Sequence, residues 1–245
     1  MLYVWHEDSA QSSTTQFWQF VLEKKLTQYE WNVTGYGSNR KLLNHVEETV
    51  FNEDDIYVIL IDTVFDNQKV MDIVTDLYTV VKPYKNVYVA ELTCFEYMML
   101  HFKYFINWTK PVEQNETYTY LCKVRNSFID AIDSTGYWIT DDIVREFAMQ
   151  SFHLPQIELK FISSEKIATR LLSSMLNTGK NKFLVTKTIL GECWTTDCCN
   201  LNFKSAEIGN QKCNIFQEKI TSDEKAEILY QYTLAEQIIN EALKK

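Results

Sequence analysis

The run Ile56-Tyr57-Val58-Ile59-Leu60-Ile61 is apolar at every position. A strand with one face in water alternates polar and apolar residues, so a strand without alternation needs cover on both faces, as in the centre of a parallel α/β sheet. The flanking sequence agrees. "LYVW" at residues 2–5 is a short run of strand formers, followed by the polar "DSAQSST" and its candidate N-caps. "TQFWQFVLEKKL" then carries Phe17, Trp18, Phe20, Val21 and Leu22 at helical spacing. "WNVTGYG" gives a second strand ending in Gly35 and Gly37, and "NRKLLNHVEETVF" a helix with Leu42, Leu43, Val46 and Val50 on one side. After the apolar strand come a helical "QKVMDIVTDLYTVV", the breaker Pro83, a fourth strand "VYVAEL" and a helix from Cys94 to His101. Strands alternating with helices imply a parallel sheet joined by right-handed crossovers.

Beyond "NWTKPVEQNET" the pattern changes. "YTYLCKVRNSFIDAI", "TDDIVREFAMQSF", "SEKIATRLLSSML" and the final "SDEKAEILYQYTLAEQIINEALKK" are all helix-periodic, with Thr140 or Ser222 as caps. The expected organisation is an α/β domain over residues 1–108 and a mainly helical region over 109–245, with a cysteine-containing loop at 193–213.

No apolar stretch approaches the roughly 18 residues of a membrane span, and "MLYVWHEDSA" has no basic or long apolar lead. A cytoplasmic protein making no membrane contact is expected. Six cysteines then read as reduced thiols or metal ligands before disulfides. Cys193, Cys198, Cys199 and Cys213 could hold a tetrahedral Zn²⁺, although the spacing lacks a C-x-x-C pair; free thiols are the alternative. Cys94 and Cys122 sit in apolar runs and read as core.

A net charge of -9 repels polyanions at long range, so any nucleic-acid contact must be local. The best basic stretch runs from Lys160 through Lys166, Arg170, Lys180, Lys182 and Lys187. It is either a solvated surface or a phosphate contact, the latter centred on Lys180, Lys182 and Lys187.

In an open parallel sheet, ligands bind beyond the carboxyl ends of the strands. Glu7 follows the first strand, Asp62 ends the third and Asp66 lies in the loop beyond it. Each could be a helix cap; together they could surround Mg²⁺, which favours carboxylates and water and suits phosphoryl chemistry. His6 stands beside Glu7, either as a phosphate-binding or carboxylate-tuning group or as a strand-end histidine with local partners. Gly35-x-Gly37 is too weak a pattern for a nucleotide fingerprint.

"LYVWHE" with Glu7, Phe17 in the next helix, "VTGYGSNRKLL", "DDIYVILIDTVFD" and "VYVAELTCFEYMMLHF" together resemble the Toprim fold. The likeness covers roughly residues 1–105 and is closest to Toprim proteins of bacterial anti-phage systems, the OLD-type nucleases and the RloB-like proteins. The resemblance implies a Toprim-like parallel sheet flanked by helices. It makes Glu7 a general acid/base or metal-facing acid, Asp62 the first metal ligand and Glu96, in the "CFE" run, an acid near the site. It further implies Mg²⁺- or Mn²⁺-dependent cleavage of DNA or of RNA such as tRNA, as effector to a separate ATPase or sensor. This chain departs from the family's Asp-x-Asp, having Asp62, Thr63 and Val64, and has Asp8 where relatives commonly have glycine. Asp66 lies two residues further along, about 6–7 Å in an extended strand, so only a turn would return it to the metal. The alternative is a degenerate, non-catalytic Toprim module docked in a larger assembly.

Overall fold

The computed structural model describes residues 1–103, 105–111, 113–178, 207–208, 211–212 and 222–244. Four parallel strands, β1 (Leu2–His6), β2 (Trp31–Gly35), β3 (Ile56–Asp62) and β4 (Val87–Leu92), form a sheet in the order β2-β1-β3-β4. The connections run through α1 (Ser13–Lys25), α2 (Asn39–Glu48) and α3 (Gln68–Val81). The chain leaves β1 in one direction to make β2, then returns past it to make β3. A right-handed crossover therefore sets α1 on one face and α2 with α3 on the other.

The two hydrophobic clusters follow from this. Leu2, Val4, Val58, Leu60, Ala90 and Leu92 point to the α1 face, where Phe17, Trp18 and Val21 cover them. Trp5, Tyr57, Ile59, Ile61, Val87 and Val89 point the other way, against Leu42 and Leu43 of α2 and Val74 and Leu77 of α3. Both faces of β3 are buried, which is why its sequence does not alternate. Val50 does not join its expected neighbours: α2 ends at Glu48 with Thr49 as C-cap, and Val50 is 93% exposed. Phe51 turns inward instead, against Trp5, Tyr57 and Tyr84.

After β4 the described chain is helical: α4 (Phe95–His101), α5 (Phe105–Thr109), α6 (Glu116–Thr135), α7 (Asp142–Phe152) and α8 (Ser164–Thr178). A two-residue ladder pairs β5 (Glu207–Ile208) with β6 (Gln211–Lys212), and α9 (Ser222–Tyr232) and α10 (Ala235–Leu243) end the chain. Asp141, rather than Thr140, caps α7 by accepting the Ile143 and Val144 N–H groups at 2.8 and 3.0 Å. The expected single C-terminal helix is broken at Thr233. Its hydroxyl donates to the Leu229 carbonyl at 2.6 Å and accepts the Ala235 N–H at 3.1 Å, closing one helix and opening the next.

The C-terminal helices belong to the sheet's own core. α9 packs on α1, α10 packs against β3 and β4, and Phe128, Leu171, Leu229 and Ile239 share one buried cluster with Leu2 and Phe17. Among the described residues no helix is long and apolar enough to cross a membrane.

Candidate functional site at the carboxyl ends of the central strands

The strand order reverses between β1 and β3, which makes their carboxyl ends the crevice of the sheet. His6 pairs with Leu60 in the register, so Glu7 leaves β1 beside the last residues of β3. Asp62 follows Val58 and Leu60 on the strand's two-residue period, and so points to the face covered by the helical half.

Asp62 and Glu7 meet there in a carboxyl-to-carboxyl hydrogen bond. Burial pushes the Asp62 carboxyl well above its ordinary range, and the hydrogen bond and charge of Glu7 add to the shift. The charges of Glu165 and Glu96 raise it further. Glu96 is buried in the first turn of α4; Glu165 is an exposed residue in the first turn of α8. Cys94 lies beneath this group as the N-cap of α4, its sulfur accepting the Tyr97 N–H at 3.4 Å. Burial, then the charges of Glu96, Asp62 and Glu165, hold its thiol protonated. A buried neutral thiol there is a packing group, inert as a nucleophile.

The loop carrying Glu7 is clasped from β2. Tyr36 N–H donates to the His6 carbonyl and Gly37 N–H to the Asp8 carbonyl, each at 2.9 Å. A Cβ on Gly35 would stand 2.5 Å from the Asp8 oxygen, 2.7 Å from the Ser9 oxygen and 2.8 Å from His6 Cε1. Gly37 adopts φ +84, where a side chain is strained. These glycines admit the backbone of the Glu7 loop; no phosphate cradle is needed to explain them. His6 is buried and its Nε2 lies 2.9 Å from the Thr15 hydroxyl, which also donates to the Ser9 carbonyl at 3.0 Å. The single hydroxyl proton goes to Ser9, so His6 presents Nε2–H to Thr15. Thr15 sits in the first turn of α1, capped by Ser12. Asp8 accepts the Thr14 hydroxyl.

Asp66 does not join Asp62. Its carboxylate accepts the Ser164 N–H at 2.9 and 3.1 Å and the Ser164 hydroxyl at 3.3 Å, at the start of α8. Burial raises its pKa, and the bonds from Ser164 and Trp138 oppose that rise. The expected return of Asp66 to the Asp62 pair is thus corrected: an N-terminal helix end, with its unpaired N–H groups and positive dipole, competes for the carboxylate. Val64 is fully buried.

Glu165 is the acid that sequence reading missed. Its only local signature, "SSEK", is that of any capped helix start, and nothing there announces that its charge acts on Asp62. Cys193, Cys198, Cys199 and Cys213, and the basic Lys180, Lys182 and Lys187, lie outside the described residues.

The donor set is all carboxylate oxygen, the hard chemistry that Mg²⁺ or Mn²⁺ takes. Among the described residues no three His, Cys, Asp or Glu side chains stand in a ready ligand arrangement. Compared with family models, curated proteins and solved structures, the chain matches none.

Proposed function

We propose that the chain is a Toprim-type, Mg²⁺-dependent nuclease that hydrolyses phosphodiesters of DNA or RNA. The observation that carries this reading is the placement of Glu7 and Asp62 side by side at the strand-order reversal. Glu7 and Asp62 are the residues that would hold the metal, with Glu96 as an acid near them. When bound, Mg²⁺ supplies Lewis-acid stabilisation of the phosphoryl oxygens and an activated water. The chain's own part is to hold and orient the ion through its carboxylates and, as the Toprim likeness implies, to let Glu7 serve as a general acid/base.

The Toprim likeness extends the reading to an effector of anti-phage defence that works with a separate ATPase or sensor. A second reading, the degenerate Toprim module, is favoured by one observation: Val64 is a buried apolar residue where the family holds its second acid.

Incubation of the purified protein with plasmid and with total RNA, in Mg²⁺ or Mn²⁺, alone and with the partner ATPase, separates the two. Cleavage that disappears in both Glu7→Gln and Asp62→Asn supports the nuclease. Cleavage indifferent to both substitutions removes the proposed site, and no cleavage under any of these conditions favours the module.

A further inference from the structure

We infer that the outer edge of β4 pairs antiparallel with β4 of a second copy of this chain, about a two-fold axis at Val89, so that the two sheets join into one. The pairing is independent of the acid site. Strands related by such an axis run in opposite directions, so the carboxyl ends of β3 in the two copies point away from each other.

β4 ends the sheet, with β3 as its one strand partner among the described residues. The carbonyls of Asn86 and Leu92 face that partner, accepting the Tyr57 and Thr63 N–H groups at 2.9 and 2.5 Å. Backbone groups alternate in direction along a strand, so the N–H and C=O of Val89 and Glu91 face the other way, toward the open edge. A groove of about 680 Å³ follows that edge, lined by all six residues of β4, with α3 on one side and α10 on the other. A single cavity touches residues from both faces of a strand only where the strand's edge is uncovered. On its rim stand Tyr78 and Tyr84, 41% and 37% exposed. An open edge between apolar walls is a template for another strand.

Charge at the two ends of the groove identifies the occupant as this chain itself. Lys82, the C-cap of α3, lies near the start of β4 and enters no ion pair among the described residues. Glu91 lies near the other end, on the α3 side with Val87 and Val89, where its carboxylate accepts the Tyr78 hydroxyl. Antiparallel pairing about Val89 sets Val87 opposite Glu91 of the second copy, so each Lys82 meets the other copy's Glu91, and the contact occurs twice. On the α10 side the same register sets Tyr88 opposite Ala90, a large side chain against a small one, while Val89 exchanges both its hydrogen bonds with its own counterpart. An axis at Ala90 instead would place Glu91 opposite Val89, away from Lys82. An exposed acid on an edge strand ordinarily discourages pairing. Here the chain also carries the cation that answers it, and a strand without that cation is refused.

Sedimentation velocity of the full-length protein over a dilution series tests the pairing, with a thermal melt of every variant to establish that it is folded. The wild type should sediment at about twice the 28.9 kDa of one chain. Lys82→Glu or Glu91→Lys alone brings like charges together twice in each dimer and should raise the dimer dissociation constant about tenfold or more. Mixed in equal amounts, the two single variants should associate again as a heterodimer, because each then offers the charge the other needs. The double variant Lys82→Glu/Glu91→Lys should recover in the same way. Mixing folded proteins would rescue nothing if either side chain acted only within its own chain. A wild type that stays monomeric overturns the pairing, whether or not an alternating valine-lysine peptide, added as a probe, binds the edge in its place. Single variants that dimerise as tightly as the wild type, or that remain monomeric when mixed, overturn it as well.

Discussion

Asp62 and Glu7 share a hydrogen bond across the carboxyl ends of the two central strands, a contact open to two carboxyl groups only when one holds a proton. The folded state raises the Asp62 pKa above its ordinary 3.8, so between that value and the raised one the native chain binds more protons than the unfolded chain. Stability must then fall as pH rises through that window, in contrast to a salt-bridged carboxylate, whose contribution is lost on acidification. Without divalent metal, Asp62→Asn removes the titration and should stabilise the protein at neutral pH by on the order of 1–2 kcal/mol. That is a rise of several degrees in Tm. Melts in chelator from pH 4 to 8 should show the wild type losing Tm with rising pH more steeply than the variant. Parallel curves would refute the shared proton.

Gly35→Ala tests whether the clasp from β2 shapes the site. The new methyl would meet backbone oxygens of Asp8 and Ser9 at 2.5 and 2.7 Å, and backbone cannot yield as a flexible side chain can. We expect a loss of about 1–3 kcal/mol, typical of overpacking, and displacement of the Glu7 loop. Urea unfolding measures the first; a drop in Mn²⁺ affinity beyond that of a comparably destabilised core variant measures the second.

Thr15→Val preserves shape and removes the hydroxyl that joins His6 Nε2 to the Ser9 carbonyl. Leaving buried polar groups without that partner should cost about 1–3 kcal/mol. In the wild type, nitrogen-detected NMR should find His6 carrying its proton on Nε2. A proton resting on Nδ1 instead would contradict the assigned hydrogen-bond direction.

The parts of the fold readable from sequence are those where one local pattern has one physical solution. The unbroken apolar run of β3 admits only double burial, and the spacing of Phe17, Phe20 and Val21 admits only a helix with that face inward. Glu7 and Asp62 can be brought together on paper because each ends a strand, and strand ends in a parallel sheet share an edge. Asp66 and Glu165 exchange roles because neither is decided locally. Asp66 looks like a ligand until the α8 N-terminus arrives to claim it, and Glu165 looks like a capping acid until its charge is found to act on Asp62. Periodicity carries α2 on to Val50, although the helix has already ended at Thr49; continuation of a pattern says nothing of where the hydrogen bonds stop.

Val64→Asp rebuilds the Asp-x-Asp spelling of the Toprim family and so separates resemblance in sequence from geometry in this fold. If position 64 faced the site, the new carboxylate would add a ligand and strengthen Mn²⁺ binding. Val64 is instead fully buried, with its carbonyl accepting the Asn67 N–H at 2.8 Å in the turn that carries Asp66 toward α8. An aspartate there loses hydration without gaining a cation. We expect destabilisation of about 3–5 kcal/mol, the scale of an uncompensated buried charge. Mn²⁺ affinity should not increase, and the Asp66–Ser164 clasp should loosen because it hangs from the same turn. A Val64→Asp protein that melts like the wild type and binds Mn²⁺ more tightly would place residue 64 in the crevice, contrary to its buried position in the turn. The isosteric Val64→Thr, with a hydroxyl but no charge, should fall between the two in stability, at a cost of about 1–3 kcal/mol.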